Sequence, residues 1–125
     1  MIPKNKLILI VEDDALIALH LQESLQNSGY EVPDPVASGE EAIEYVRTCQ
    51  LPDLILMDVT LDGRIDGIET ARQIQKSFSI PVIFLSAHSE TNRLAQGEGV
   101  RSSGFLGKPF FGSEVIAAVE KALHG

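Results

Sequence analysis

Three short, unbroken apolar runs constrain this chain more than any other feature. Leu7-Ile8-Leu9-Ile10-Val11, Leu54-Ile55-Leu56-Met57 and Val82-Ile83-Phe84-Leu85 carry no polar side chain. Runs of that length and uniformity read as strands covered on both faces, as in a parallel sheet. Parallel neighbours cannot be joined by a tight hairpin, so helical crossovers must lie between them.

The intervening sequence supplies those helices. After the first run, Asp13 or Asp14 can cap a helix in which Ile17, Leu21 and Leu25 recur at fourfold spacing, and Asn27-Ser28-Gly29 breaks it. Ser38-Gly39-Glu40-Glu41 opens a second helix with acids at its positive end and Ala42, Ile43 and Val46 on its buried face. A polar loop with Gly63 and Gly67 leads to a third helix carrying Ile68, Ala71 and Ile74, and Ser113 to Leu123 forms the last one. Two further strands complete the pattern. Val32 to Val36, interrupted by Pro33 and Pro35, is expected to be an edge strand, because proline has no N–H for a ladder. Gly104-Phe105-Leu106 is a brief fifth strand. A fourth helix is expected between His88 and Gly104, short or irregular because Gly97 and Gly99 would each weaken it by about 1 kcal/mol relative to alanine. The expectation is an α/β fold: a doubly wound, five-stranded parallel sheet with five helices on its two faces, and ligands beyond the carboxyl ends of the strands.

The chain of 125 residues is the size of one domain, 1–125, and 44% hydrophobic residues suffice for its core. No apolar run approaches the roughly 20 residues of a membrane span, so membrane insertion is not expected. A net charge of −8 with scattered basic residues argues against direct nucleic-acid binding. The single cysteine, Cys49, leaves no internal disulfide and no metal-ligand spacing, which fits a cytoplasmic setting.

The acids are not scattered. The first strand ends at Glu12 and Asp13, the third at Asp58, the fourth at Ser86, and the fifth is followed by Lys108-Pro109. Three acids meeting at one sheet edge would repel, and one would tend to keep its proton. A divalent cation with oxygen ligands removes the conflict, and Mg²⁺ suits a few carboxylates plus water and a phosphate (Mn²⁺ could substitute). Asp58 can then act as a nucleophile and form an aspartyl phosphate. The cation would neutralise one side of the phosphoryl group and Lys108 the other, while Ser86 donates a hydrogen bond. Asp14 is better read as a helix cap than as a ligand.

Ile8-Leu9-Ile10-Val11-Glu12-Asp13-Asp14, Asp53-Leu54-Ile55-Leu56-Met57-Asp58, Pro81-Val82-Ile83-Phe84-Leu85-Ser86-Ala87 and Gly104-Phe105-Leu106-Gly107-Lys108-Pro109-Phe110 resemble the successive motifs of response-regulator receiver domains of two-component signalling. They occur in that family's order, at close to its spacing, over nearly the whole chain. The resemblance implies a flavodoxin-like strand order 2-1-3-4-5. It implies Asp58 as phosphoacceptor, Glu12 and Asp13 as the acidic pair, and the Thr60 carbonyl as a further metal ligand. Ser86 and Lys108 would sense the phosphoryl group, Phe105 would repack on activation, and the Lys108–Pro109 peptide would be cis. His88, two residues past Ser86, is a candidate for controlling how water reaches an acyl phosphate, against the alternative of an exposed loop histidine. The chain departs from the family's pattern in two places: the glycine-bearing segment from His88 to Gly104, a poor match to the usual fourth helix, and the loop after Asp58. Asp62 stands where a proline is usual, and Asp66-Gly67 falls one residue late, so the loop after Asp58 is one residue longer.

The expected activity is a phosphoryl-operated switch, not an enzyme with separate turnover. Its partners would be a sensor histidine kinase or histidine phosphotransfer protein and a downstream protein that the sequence does not specify. The alternative is a receiver module excised from a hybrid histidine kinase or larger regulator. Two other classes are an aspartyl-phosphate hydrolase and a phosphorylation-independent interaction module. The hydrolase reading lacks an aspartate two residues after Asp58, where Thr60 stands.

Overall fold

The computed structural model describes residues 6–61, 63–87 and 100–124. Four strands form one parallel sheet in the order β1-β2-β3-β4: β1 Ile8–Val11, β2 Leu54–Asp58, β3 Val82–Ser86 and β4 Gly104–Gly107. In register, Ile8 lies opposite Leu54, Ile55 opposite Val82 and Ile83 opposite Gly104. Four helices accompany them: α1 Ala15–Asn27, α2 Gly39–Thr48, α3 Gly67–Ser77 and α4 Gly112–His124.

The alternation of side chains along each strand divides the core in two. Ile8, Ile10, Leu54, Leu56, Ile83 and Leu85 face α1 and α4, where Leu21, Leu25, Val115 and Val119 meet them. Leu9, Val11, Ile55, Met57, Val82 and Phe84 face α2 and α3, against Val46, Ala71 and Ile74. Every residue of β1, β2 and β3 is buried, which is why their sequences show no polar alternation.

The helix starts are set locally. Asp14 caps α1 by accepting from the amides of Leu16 (3.0 Å) and Ile17 (3.2 Å), worth about 1 kcal/mol. Ser38 caps α2: its Oγ accepts from the Glu41 amide (3.1 Å) and donates to the Glu41 carboxylate (3.2 Å). Asp66 caps α3 through the Glu69 amide at 2.8 Å.

One expectation is corrected. The edge strand over Val32 to Val36 is reduced to two isolated parallel bridges to the β1 side, Leu7 with Glu31 and Val11 with Val36. Pro33 and Pro35 lack the donors that would join these bridges into a ladder. The described residues therefore hold four strands, not five, although the 31–36 segment lies where the expected order puts it. The described residues hold four helices; residues 88–99, where the further helix is expected, lie outside them, and Val100 to Ser103 are not helical. No helix among the described residues is long and apolar enough to cross a membrane.

Candidate phosphoacceptor site

Parallel strands all point one way, so the residue ending each strand arrives at the same rim. Glu12 follows β1 directly, Asp58 closes β2 and Ser86 closes β3. All three are nearly sealed from solvent, at 3%, 3% and 5% exposure. Asp13 is half-buried beside Glu12. One carboxylate oxygen from each of Glu12, Asp13 and Asp58 lies within 4.8 Å of the others. That is a donor set of hard oxygens at the separation a small divalent cation bridges.

Lys108 enters from the far side. It follows β4, and its amide donates to the Ser86 carbonyl at 2.9 Å, which extends the β3–β4 pairing by one step. The Lys108–Pro109 peptide is cis. Lys108 Nζ reaches Glu12 Oε1 at 2.9 Å and Asp58 Oδ2 at 3.1 Å. The Asp58 carboxylate also accepts from the Thr60 amide, Oδ1 at 3.3 Å. Glu12 Oε2 accepts from the Asp14 amide at 3.1 Å.

The electrostatics follow from burial and crowding. Glu12 is pushed up to about 7, first by burial and then by the neighbouring Asp58 carboxylate, against the lowering effect of Lys108 and the Asp14 amide. Burial pulls the Lys108 ammonium down, but its bonds to Glu12 and the charges of Asp58 and Glu12 outweigh this and hold its pKa above the usual lysine value. Three clustered carboxylates facing one ammonium leave the site short of positive charge. A divalent cation fits what these residues present.

Above these groups is an open cleft of about 370 Å³ lined by Asp13, Asp14, Ile17, Thr60 and Ala87 with the charged trio of Glu12, Asp58 and Lys108. The structure thus brings together Glu12, Asp13, Asp58, Thr60 and Lys108. Ser86 stands on the adjoining strand end, with Ala87, rather than Ser86 itself, on the cleft wall. Phe105 is not in the core: it is 57% exposed, its ring stacked on Phe84 at 6.5 Å. His88 lies outside the described residues.

Two contributors were missed in the sequence. Gly67, the first residue of α3, packs on the main chain of Asp58: a Cβ there would fall 1.9 Å from the Asp58 carbonyl oxygen. Its amide donates to the Val59 carbonyl at 2.8 Å, closing the loop between β2 and α3. Glu40 is the second: from the first turn of α2 it accepts from the Arg64 amide in that loop, at 3.0 Å. The glycine was visible as a loop residue, but the approach that requires it is a tertiary fact. Glu40 carried only a helix-dipole signal.

A parallel sheet carrying this rim of acids and lysine is the architecture of response-regulator receivers. Residues 8–120 match the family model of the response regulator receiver domain, and the chain belongs to that family, which serves two-component signalling. It is 36% identical to the transcriptional regulatory protein PdtaR of Mycobacterium tuberculosis, over 93% of this chain and 56% of that protein. It is 38% identical to the alkaline phosphatase synthesis transcriptional regulatory protein PhoP of Bacillus subtilis, over 96% of this chain and 49% of that one. The chain therefore spans about half the length of these curated relatives. Among solved structures, the N-terminal domain of a response regulator/sensory box/GGDEF three-domain protein from Carboxydothermus hydrogenoformans superposes with a TM-score of 0.87 at 39% identity, covering 94% of each chain.

Proposed function

We propose that residues 1–125 form one receiver domain that accepts a phosphoryl group on Asp58 from a phosphohistidine of a sensor kinase or phosphotransfer protein. The observation that carries this reading is the placement of Lys108 Nζ, 2.9 Å from Glu12 and 3.1 Å from Asp58. One ammonium is set against two carboxylates in a cluster whose third member, Asp13, faces the same cleft.

In this reading an Asp58 carboxylate oxygen forms the bond to phosphorus as the bond to the donor imidazole nitrogen breaks. Glu12, Asp13, Asp58 and the Thr60 carbonyl would hold Mg²⁺, which when bound supplies charge neutralisation for the phosphoryl oxygens. Lys108 would transfer its pairing from Asp58 to a phosphoryl oxygen. Ser86 would turn its hydroxyl to donate to another, and Phe105 would move inward from its exposed place over Phe84. Such a shift couples the new charge to the surface of β4 and α4 by biasing two packings of one core.

The donor would dock on the apolar groove of about 410 Å³ lined by Leu16, Ile17, His20, Pro109 and Phe110, which shares Lys108 with the acidic cleft. Leu16 at 80% exposure offers the groove its free apolar surface. A cytoplasmic setting goes with the exposed, unpaired Cys49.

Incubation with acetyl phosphate and Mg²⁺ tests the assignment. The wild-type chain should take up an acid-labile phosphate, and Asp58→Asn should take up none. Equal labelling of that variant would sink it. Sustained turnover of small phosphate esters would instead favour a hydrolase.

A further inference from the structure

Eight residues separate the end of β2 at Asp58 from the start of α3 at Gly67, and the geometry of that connection bears directly on the acceptor. Its beginning is anchored by Val59 and Leu61, 0% and 8% exposed, in the core on the α2–α3 side. Thr60 lies between these anchors, exposed to the cleft, with its amide on Asp58. The return limb, residues 63–65, has no place in that core of its own.

What holds the return limb is the first turn of α2. Glu41, not Glu40, bonds the capping Ser38, so the Glu40 side chain is free of the cap. Its Oε2 accepts from the Arg64 amide at 3.0 Å. Its Oε1 lies against Gly63, where an added Cβ would approach within 2.7 Å. Gly63 has φ +111°, a conformation that disfavours any side chain and aims the following amide at the carboxylate. Directly before Glu40, Gly39 leaves room for Ile65, whose Cγ1 would meet a Cβ there at 2.9 Å. Three consecutive loop residues are thus seated on two consecutive residues of α2.

We propose that Glu40 is a positioning residue for the phosphoacceptor site: its carboxylate latches the loop after Asp58 and so holds the Thr60 main chain against Asp58 and the cation. This rests on the phosphoacceptor reading above. Fixing both limbs of an eight-residue connection before the cation arrives removes ordering cost from the binding step. The bond is charge-assisted but exposed to water, so its removal should weaken cation binding without abolishing it.

The test uses the whole chain and three readouts: exchange of the Arg64 amide, Mg²⁺ titration by calorimetry, and Asp58 labelling by acetyl phosphate across a range of Mg²⁺. Glu40→Ala should speed Arg64 exchange and raise the Mg²⁺ needed for half-saturation by roughly three- to tenfold, with the melting temperature little changed. Glu40→Gln keeps a carbonyl acceptor and should stay within about twofold of wild type. Gly63→Ala, which displaces the carboxylate, should behave like Glu40→Ala. An Arg64 amide equally protected in Glu40→Ala overturns the latch, as does faster exchange with an unchanged Mg²⁺ requirement. A Glu40→Gln as impaired as Glu40→Ala overturns it too, by assigning the effect to charge. If the wild-type chain binds Mg²⁺ but takes no label, the phosphoacceptor reading fails, and the latch fails with it. If the wild type labels normally and Glu40→Ala matches it at every Mg²⁺ concentration, only the latch fails.

Discussion

Lys108 Nζ and Glu12 Oε1 stand 2.9 Å apart, joined across the whole width of the sheet's acidic rim from the end of β4 to the end of β1. The same nitrogen touches Asp58, so lysine and cation compete for the same carboxylates. Lys108→Met should therefore leave Mg²⁺ binding intact or tighten it, while labelling of Asp58 falls by at least about tenfold because one side of the phosphoryl group loses its countercharge. Calorimetry and acetyl-phosphate labelling on one preparation separate the two. Loss of both together would mean that Lys108 serves the fold rather than the chemistry.

Glu12 titrates near pH 7 because it is buried beside Asp58. Its proton must leave before it can ligate, so Mg²⁺ affinity should drop by about tenfold between about pH 8 and about pH 6. The stability linkage has a definite sign. Glu12's folded pKa lies above its ordinary value of 4.5, so the folded state holds the proton more tightly. This group's contribution is fully present below pH 4.5 and is lost as pH rises towards 7. Mg²⁺ should accordingly raise the melting temperature more at pH 8 than at pH 6, which thermal denaturation with and without the ion would show.

Gly67→Ala should be among the costliest small substitutions in the chain. Its Cβ would fall 1.9 Å from the Asp58 carbonyl oxygen, and backbone cannot swing aside as a side chain can. A loss of about 2 kcal/mol or more is expected, read from urea unfolding. Ala71, also in α3, is fully buried without such an approach, so Ala71→Gly should cost about 1 kcal/mol.

Leu16→Asp should slow phosphoryl transfer from a phosphohistidine-bearing protein while leaving acetyl-phosphate labelling within about twofold, because Leu16 lines the groove but lies outside the acidic cleft. Equal slowing with both donors would place the effect at Asp58 instead. Stability should hardly change, since Leu16 is already 80% exposed.

Phe105 provides an optical test of the switch. The chain has no tryptophan, so Phe105→Trp would report from one position. Its emission should be that of an exposed indole and should move to shorter wavelength on adding beryllofluoride with Mg²⁺. Phe105→Ala should cost less than about 1 kcal/mol, against about 3 kcal/mol or more for Phe84→Ala in the core beneath it.

The three buried apolar strands and the residues that end them were legible in the amino-acid sequence. Unbroken apolar runs can only be satisfied between two layers, and parallel strands must deliver their last residues to one rim. Glu12, Asp13, Asp58 and Lys108 could thus be assembled on paper, and Asp14 recognised as a cap, because alternation, run length and capping are local. Pro33 and Pro35 already marked the weak edge; the loss of two donors took it further, from a strand to two bridges. Tertiary structure alone decided the rest. Whether Phe105 lies in the core or over Phe84, that Gly67 abuts the Asp58 carbonyl, and that Glu40 reaches Arg64 across 24 residues all depend on how helices seat against the sheet. Those contacts join residues distant in the chain, and no local periodicity encodes them.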